Sequence, residues 1–324
     1  MSRFTKVLVA LLAIAAFAAP AIAEDGFSVY GSARTQSFYV DQDLADTQEF
    51  NLDLLGTSRF GLKATKGAVS GHFEGAFGNT FGKRLMYGTY DFGAGKLSVG
   101  QQYTVFDASY LSSSIANGDD GWGQFTAYAG RRVAIGVILD SGFSAYLVRN
   151  DSEANDLGDG ADLPKIEFGY NGKFDAVSLK VGVGYMKYDA NADQDTAAYQ
   201  FGADVKVALA PATLRLGLIY GQNLAEYGSS SSTYFTAYNV AADEDTTTMG
   251  GMFEASFKLS DSNTLAAGVG YNVSENDAAA DDMTWIQYFV NDTITLAPGF
   301  YIIPEISVLE NTDTTTGADG EKTL

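Results

Sequence analysis

Apolar and polar residues alternate one by one through most of the sequence after residue 26. Leu214, Leu216 and Leu218, for example, are separated from one another by Arg215 and Gly217. Successive side chains of a β-strand point to opposite faces, so each such segment has one apolar face and one polar or glycine-rich face. This pattern suits either a large soluble sandwich or a barrel that is apolar outside and polar inside. It predicts fifteen strands, at 27–40, 50–66, 68–78, 83–92, 95–105, 130–139, 142–149, 164–172, 176–188, 197–209, 212–221, 247–259, 264–273, 283–296 and 300–309.

The connections between these strands alternate between short and long. Tight turns rich in Gly, Pro, Asp and Asn, such as 93–94 and 210–211, are followed by much longer links such as 106–129. Successive links of an up-and-down barrel fall on opposite rims, so this alternation gives one rim of turns and one rim of loops. That asymmetry is typical of outer-membrane barrels, and a sandwich has no reason to keep it. We therefore predict an all-β fold, a transmembrane antiparallel β-barrel.

The acidic charge of the chain is concentrated in the long links. The sequence has 40 Asp and Glu against 20 Lys and Arg, a formal charge of -20. Asp and Glu are frequent but Lys and Arg are absent in the links 41–49, 106–129, 150–163, 189–196, 222–246, 274–282 and 310–320. Solvation explains acidic loops, but it does not explain why basic residues are missing. A carboxylate face against an anionic glycolipid leaflet would bind bridging Ca²⁺ or Mg²⁺, and we expect no other cofactor.

The first 23 residues have the pattern of a cleaved signal peptide. Arg3 and Lys6 precede an apolar run at 7–17, and Ala21 and Ala23 form the small-x-small site that signal peptidase recognises. The run is shorter than the roughly 20 residues that a membrane-spanning helix needs. We predict export, with cleavage after Ala23, leaving one barrel domain at 24–324.

Several segments resemble the general diffusion porins of Gram-negative bacteria. The sequences Phe-Ser-Val-Tyr-Gly at 27–31 and Ser-Arg-Phe-Gly-Leu-Lys at 58–63 are similar to the first two strands of that family. Residues 87–88 and 95–103 resemble its fourth and fifth strands, although Gln101 stands where the family often has Arg. The resemblance implies a homotrimer of sixteen-stranded barrels in the outer membrane, with the third extracellular loop folded into the lumen. The long link at 106–129 falls at the position of that loop.

The inner face and this inserted loop supply the candidate pore residues. Placing the aromatic and branched residues outward puts basic side chains on the inner wall, and the resemblance implies a constriction zone where they face loop acids. Opposed rows of charge across a narrow opening create a transverse field, which orients dipolar solutes and disfavours apolar ones. The predicted basic row is Arg34, Arg59, Lys63 and Arg132, and the predicted acidic row is Asp107, Asp119 and Asp120.

The end of the sequence departs from the family pattern. Barrels of this kind normally close with a strand that ends in an aromatic residue, whereas residues 321–324 read Glu-Lys-Thr-Leu. A sixteenth strand needs about nine residues. An open edge in hydrocarbon would leave unpaired backbone groups that cost several kcal/mol each. We expect that the last strand is missing or truncated in this sequence, or that one strand is split or overlooked.

Other functions find little support in the composition. The chain has no Cys, and His72 is its only His, so neither a thiolate site nor a centre built from several His can form. Its acidic balance disfavours nucleic acid. We predict no enzyme but a passive pore for small hydrophilic solutes and ions, with a weak cation preference, in contact with outer-membrane lipid and lipopolysaccharide. The alternatives are a substrate-selective porin that binds anions and a secreted soluble β-sandwich that binds calcium or carbohydrate.

The acidic links predict sensitivity to divalent cations. Removing Ca²⁺ and Mg²⁺ with EDTA should lower the melting temperature of the purified protein and weaken its association with lipopolysaccharide, because the loop carboxylates would lose their bridges to anionic headgroups. Readdition of Mg²⁺ should restore both quantities, and readdition of Na⁺ at equal ionic strength should not. Unchanged melting and lipid association after chelation would contradict the prediction.

Overall fold

The computed structural model describes residues 26–42, 47–77, 81–112, 114–115, 125–150, 164–191, 194–229, 244–276, 282–312 and 322–323. Nineteen strand segments make up most of its regular structure. In chain order they are β1 (Phe27–Ser32), β2 (Thr35–Gln42), β3 (Thr47–Leu54), β4 (Arg59–Lys66), β5 (Val69–Phe77), β6 (Phe81–Asp91), β7 (Gly95–Tyr103), β8 (Arg131–Leu139), β9 (Phe143–Val148), β10 (Lys165–Phe174), β11 (Val177–Asn191), β12 (Gln194–Leu209), β13 (Ala212–Gln222), β14 (Thr246–Lys258), β15 (Asn263–Asn276), β16 (Met283–Ala297), β17 (Phe300–Ile302), β18 (Glu305–Thr312) and β19 (Lys322–Thr323).

Helical structure is confined to two single turns in the described residues. One is a 3₁₀ turn at Ala108–Tyr110, and the other is a short helix, α1, at Leu224–Tyr227. Neither of them, and no other helix in the described part of the chain, has the length and apolar character needed to cross a bilayer.

All strand segments belong to one antiparallel sheet. Three pairs of segments, β1 with β2, β3 with β4, and β17 with β18, are halves of interrupted strands, so the sheet has sixteen antiparallel strands. From β4 to β16 each strand pairs with the next one along the chain, as the alternating links predicted. The predicted all-β antiparallel fold is confirmed.

The last segment joins the two ends of this sheet. Thr323 of β19 pairs with Leu309 of β18 on one side and with Gln42 of β2 on the other. In the part of the chain that the structure describes, the sixteenth position, for which the sequence shows no strand of the expected length, is therefore occupied by β19.

Two of the predicted long links, 41–49 and 189–196, are wrong, and in the first of them β2 continues to Gln42 and β3 begins at Thr47. The sequence predicted a loop at 189–196, but β11 continues to Asn191 and β12 begins at Gln194. Asp189 pairs with Asp195, and Asn191 pairs with Gln194. Backbone hydrogen bonds extend a hairpin regardless of side-chain polarity. The apolar and polar alternation ends where both faces of a strand meet water, so it cannot reveal such an extension.

The two faces of the sheet have opposite chemistry. Along β8, Val133, Ile135 and Val137 are exposed to 41%, 53% and 38% on the outside. Arg132 and Ala134, between and beside them, are 8% and 3% exposed because they face the interior. An apolar outer face and a polar inner face are the reverse of what a water-soluble protein shows. They match a barrel that is surrounded by the hydrocarbon of a membrane.

The buried apolar residues lie in the interior of the barrel, where a chain segment packs on the inner wall. Val105, Phe106 and Tyr110 form one cluster with Ala127 and with wall residues of several strands. A second cluster brings Ile115 and Phe125 together with wall residues of β14 to β16. The link between β7 and β8 therefore contributes residues to both apolar clusters.

The outward orientation predicts a depth-dependent cost for charge on the lipid face. Leu218→Arg, in the middle of β13, should lower the free energy of unfolding by about 2–4 kcal/mol, whereas the matched Leu209→Arg at the turn end of β12 should cost about 0–1 kcal/mol. Both leucines are exposed on the outer face. Urea titration of protein refolded into lipid vesicles measures the difference, and equal costs at the two positions would contradict the assignment.

Candidate functional site: the wall of the lumen

Glycines on the inner wall make room for the segment between β7 and β8. A Cβ atom added at Gly202 would lie 2.2 Å from the Cβ of Ala127, and one added at Gly182 would lie 2.5 Å from Cγ1 of Val105. Real Cβ atoms do not approach other atoms so closely. The described parts of this segment, 104–112, 114–115 and 125–130, therefore include residues that rest directly on the backbone of β11 and β12.

Charged wall residues hold the first half of this segment. Lys180 of β11 forms an ion pair with Asp107, and its Nζ also donates to Oγ of Ser109 at 2.7 Å. Arg215 of β13 donates to the carbonyl oxygens of Ser109 at 2.5 Å and Leu111 at 2.7 Å. These bonds satisfy backbone carbonyls that no strand partner could reach.

A carboxylate and an amide hold the next part of the segment. Both hydroxyls of Ser112 and Ser114 donate to the carboxylate of Glu254 on β14. Asn291 of β16 donates from Nδ2 to the carbonyl of Ser114 and, at 2.7 Å, to the carboxylate of Glu305. The segment is thus bonded to the wall from β11 round to β16.

The wall formed by β1 and β4 to β6 carries a hydrogen-bonded row of aromatic and charged side chains. Arg84 donates from Nε to Oε1 of Glu74 at 2.6 Å, and both residues are buried. The hydroxyl of Tyr30 donates to Oε2 of Glu74 at 2.7 Å and lies 2.6 Å from Nε2 of His72. Nδ1 of His72 lies 3.1 Å from the hydroxyl of Tyr87. His72 is therefore one member of a satisfied polar network on the wall.

This row continues towards β7 and β8. The hydroxyl of Tyr103 accepts hydrogen bonds from Arg131 at 3.0 Å and from Arg84 at 3.5 Å. Lys63 lies with Nζ 5.3 Å from the centre of the Tyr30 ring, a cation–π contact. Arg59 is half-buried on the neighbouring part of β4. Basic groups outnumber the single carboxylate of Glu74 in this part of the wall.

The predicted basic residues fall at different places. Lys63 is exposed beside Tyr30, whereas Arg59 uses Nε to donate to the carbonyl of Thr57 at 3.1 Å. Arg34 lies between β1 and β2, where its backbone N–H donates to Oγ of Ser58 at 3.0 Å.

Arg132 is buried on β8 and donates from Nη2 to the carbonyl of Gly228 at 3.3 Å. Of the predicted acidic residues, Asp107 is paired with Lys180 on the wall that carries the segment, and Asp119 and Asp120 lie outside the described residues. The described parts thus place Arg59 and Lys63 on the same face of β4, two pleat repeats apart, and place Arg132 and Asp107 in other contacts. The role of these residues in a constriction stays a prediction.

Arg84 was missed from the sequence because its strand is irregular. The pairing of β5 with β6 shifts register between Glu74 and Gly75, so that Leu85 faces Glu74 while Lys83 faces Gly75. Arg84 and Leu85 are both 5% exposed as a result. A bulge places two successive side chains on the same side, which strict alternation cannot anticipate. The only sequence signal was a pair of adjacent basic residues, Lys83 and Arg84, in β6.

The tyrosines of the inserted segment are neutral donors at neutral pH. Burial, and next the carboxylate of Asp107, raise the pKa of the Tyr110 hydroxyl well above its usual value. Burial also raises the pKa of Tyr128 to about 12. No group of three or more His, Cys, Asp or Glu side chains suited to a metal ion occurs among the residues that the structure describes. The acidic links expected to bind Ca²⁺ or Mg²⁺ lie largely outside those residues.

A single antiparallel sheet with an apolar exterior, a polar interior and an inserted segment defines an outer-membrane β-barrel channel. The family described as Gram-negative porin matches residues 10–281, so the chain belongs to the Gram-negative porin family. This confirms the resemblance seen in the sequence. The protein is an outer-membrane pore of a Gram-negative bacterium, and its family and fold indicate a channel rather than an enzyme.

Solved porin structures share the fold at low sequence identity. A loop L8 deletion mutant of OmpT from Vibrio cholerae has a TM-score of 0.65 and 17% identity, covering 92% of this chain and 96% of that one. The anion-selective porin from Comamonas acidovorans has a TM-score of 0.64 and 17% identity, covering 92% and 97%. OmpF of Salmonella typhi has a TM-score of 0.64 and 12% identity, covering 92% and 96%. A search of curated sequences found no match.

The glycine contacts predict that one methyl group will move the inserted segment. Gly202→Ala should push Ala127 away from the wall and towards the axis, so the single-channel conductance should fall while the barrel still folds. Gly71→Ala is the matched control, because a Cβ at that strand glycine meets nothing within 4 Å. Conductance in planar bilayers checks the prediction, and a Gly202→Ala barrel with wild-type conductance would contradict it.

Proposed function

We propose that the protein is a general diffusion pore that lets small hydrophilic solutes and ions cross the outer membrane down their gradients. The observation that supports this most is the asymmetric lumen. The inserted segment rests on the wall from β11 to β16, and the opposite wall presents the polar row from Tyr87 to Arg131. A hydrated passage bounded by fixed charges admits polar solutes and disfavours apolar ones.

We also propose a weak preference for cations. The acidic links carry no Lys or Arg, so their charge is unopposed at the loop rim. Such a rim concentrates cations within about one Debye length, roughly 8 Å at physiological salt. The described wall acts in the opposite sense, because Arg59, Lys63, Arg84 and Arg131 accompany Glu74 there. The preference is weak because these two contributions oppose each other.

A substrate-selective pore for small anions is the second candidate. It is supported by the placement of Arg84 and Arg131 on the hydroxyl of Tyr103, which joins two guanidinium groups within one hydrogen-bonded cluster. Guanidinium groups bind carboxylates and phosphates in bidentate fashion. Saturating flux of one anion, or block of ion current by that anion, would favour this candidate over the general pore.

We propose that the pore is a homotrimer embedded among lipopolysaccharide and outer-membrane lipid, delivered by residues 1–23 as a signal peptide. The trimer form of OmpT from Vibrio cholerae has a TM-score of 0.62 and 14% identity to this chain, covering 92% of this chain and 97% of that one. A gel shift between unheated and boiled samples tests the trimer, and a mature N-terminus at Glu24 tests the cleavage.

The cation preference predicts the sign of the reversal potential. In a KCl gradient across a planar bilayer, the wild-type pore should show potassium modestly more permeable than chloride. Lys63→Gln should raise that ratio by about twofold, since one charge at 8 Å in water is worth on the order of 0.5 kcal/mol. Lys258→Gln is the control, because Lys258 lies at a turn with its side chain 60% exposed and paired with Asp261.

The same recording also separates the two candidate functions. A wild-type reversal potential that favours chloride would contradict the cation preference, and solute block of that current would support the anion-selective pore. A protein that stays soluble without detergent and gives no conductance would contradict both candidates.

A further inference from the structure

The link that follows β13 begins by turning into the lumen at Asn223. This residue is fully buried and has a φ of 52°, the left-handed conformation that Asn tolerates better than most residues. Its Nδ2 donates to the carbonyl of Ala197 at 2.9 Å and to Oδ1 of Asp245 at 2.7 Å. Its Oδ1 accepts from the backbone N–H of Thr246 at 2.9 Å. One amide side chain thus ties the turn to both neighbouring strands, β12 and β14.

A single helical turn then projects from this anchor. All four residues of α1 are buried, and the turn ends at Gly228, whose φ is 77°. The N–H of Gly228 donates to the carbonyl of Ala225, and that of Ser229 donates to the carbonyl of Leu224 at 3.0 Å. Glycine in the left-handed conformation with such bonds is a common helix end. The segment 223–229, which we call the latch, therefore has a defined start and a defined end.

Tyr227 is fully buried, and its hydroxyl and its carbonyl both form hydrogen bonds to β10. Its hydroxyl donates to Oε1 of Glu167 at 2.9 Å, and its carbonyl accepts from Nζ of Lys165 at 2.5 Å. The same Nζ lies 4.5 Å from the centre of the Tyr227 ring. Burial, and next the Glu167 carboxylate, raise the pKa of the hydroxyl well above its usual value, so it remains a donor.

The wall is shaped to receive this ring. A Cβ atom added at Gly184 of β11 would lie 1.9 Å from the hydroxyl oxygen of Tyr227. Only glycine at that position leaves space for the ring. The space that the Tyr227 side chain occupies is therefore formed by the backbone of β11 itself.

The latch contacts the start of the inserted segment. The ring of Phe106 meets the ring of Tyr227 edge-on, with centres 5.8 Å apart. The second oxygen of the Glu167 carboxylate accepts from the backbone N–H of Val105 at 3.1 Å. One buried carboxylate thus accepts hydrogen bonds from both the latch and the inserted segment. Loss of the Tyr227 hydroxyl would therefore weaken the bond between Glu167 and the N–H of Val105.

The latch also contacts the end of the inserted segment. The hydroxyl of Ser229 donates to the carbonyl of Tyr128 at 3.5 Å, a long bond. Nη2 of Arg132, just after that end, donates to the carbonyl of Gly228. The middle of the segment has separate anchors at Lys180, Arg215 and Glu254, so the latch controls the two ends in particular.

We propose that the latch holds both ends of segment 104–130 against the inner wall, with Tyr227 as its positioning residue, and that it thereby sets the open area of the lumen. Tyr227 touches no solute in this arrangement and acts through Glu167, Val105 and Phe106. The expected effect on ion conductance rests on the proposed pore function. The expected effect on the position of the segment's two ends does not depend on that function.

Thiol labelling tests the positional consequence directly. The chain has no Cys, so a single introduced thiol is the only one that reacts. Val105→Cys reports on the latched end, where Val105 is 3% exposed, and Ile115→Cys reports on the separately anchored part, where Ile115 is 1% exposed. The reagent is a charged methanethiosulfonate, applied to the refolded full chain after folding is verified by its heat-modifiable gel mobility.

The latch predicts a selective effect on these rates. Tyr227→Ala should speed labelling of Val105→Cys at least tenfold and leave Ile115→Cys unchanged. Tyr227→Phe, which keeps the ring and loses only the bond to Glu167, should speed it at least twofold, and it carries the test if the alanine variant fails to fold. Tyr220→Phe, on the outer face of the same hairpin, should change neither rate. Unchanged labelling of Val105→Cys in folded Tyr227 variants, or equal acceleration at both thiols, would overturn the proposal.

Single-channel recording tests the consequence for the lumen. Folded Tyr227→Ala and Tyr227→Phe pores should show larger open-channel current noise than wild type, with a graded effect, because the ends of the inserted segment would move in the passage. Wild-type noise in a variant with accelerated Val105→Cys labelling would overturn the claim about the lumen. A wild-type protein that conducts no ions would contradict the proposed function, and the labelling result would remain decisive for the latch.

Discussion

Backbone hydrogen bonding in hydrocarbon is the constraint on which the rest of this structure depends. A strand that crosses the bilayer finds no water for its N–H and C=O groups, so each group must bond to a neighbouring strand. A continuous antiparallel sheet meets this demand, and it is the arrangement that runs from β4 to β16. Once the sheet encloses a space, the period of two forces one side chain outward and the next inward along every strand.

The interior that results from this alternation is polar and needs internal partners. Charged side chains on the inner wall, such as Lys165 and Glu167, are almost fully buried, and burying a charge is costly unless it is paired or hydrogen-bonded. The segment between β7 and β8 and the latch provide such partners through their backbone carbonyls, N–H groups and hydroxyls. The same contacts that satisfy the wall therefore hold a chain segment inside the lumen. The same hydrogen bonds therefore stabilise the barrel interior and position the chain inside it.

The two sides of the lumen differ in how their charges are used. On one side, Lys180, Arg215 and Glu254 are engaged by the inserted segment. On the other, Arg84 and Glu74 pair with each other, and the inserted segment reaches their row only near its end, where the ring of Tyr128 lies 6.4 Å from the ring of Tyr103 in the described residues. Wall charges next to the inserted segment act mainly as anchors, and in the proposed pore those across from it would shape the field through which solutes pass.

Sequence alternation was sufficient for the strands, their order and the outward face, because those follow from side-chain period and local turn chemistry. It placed Leu214, Leu216 and Leu218 on one face of a strand with no knowledge of its neighbours. It failed at Arg84, where the bulge opposite Glu74 depends on how two strands pair. It also failed at Asp189, where strand pairing continues after the hydrophobic rhythm has ended.

What the sequence by itself determined is that this chain forms an antiparallel barrel with a polar interior and a long link between the fifth and sixth predicted strands. Only the tertiary structure decided which side chains meet in that interior. Asp107 pairs with Lys180, and Tyr227 shares Glu167 with Val105, across separations of 60 or more residues. Such contacts depend on the strand register and on glycines that leave space on the wall. No local pattern of residues encodes either of these.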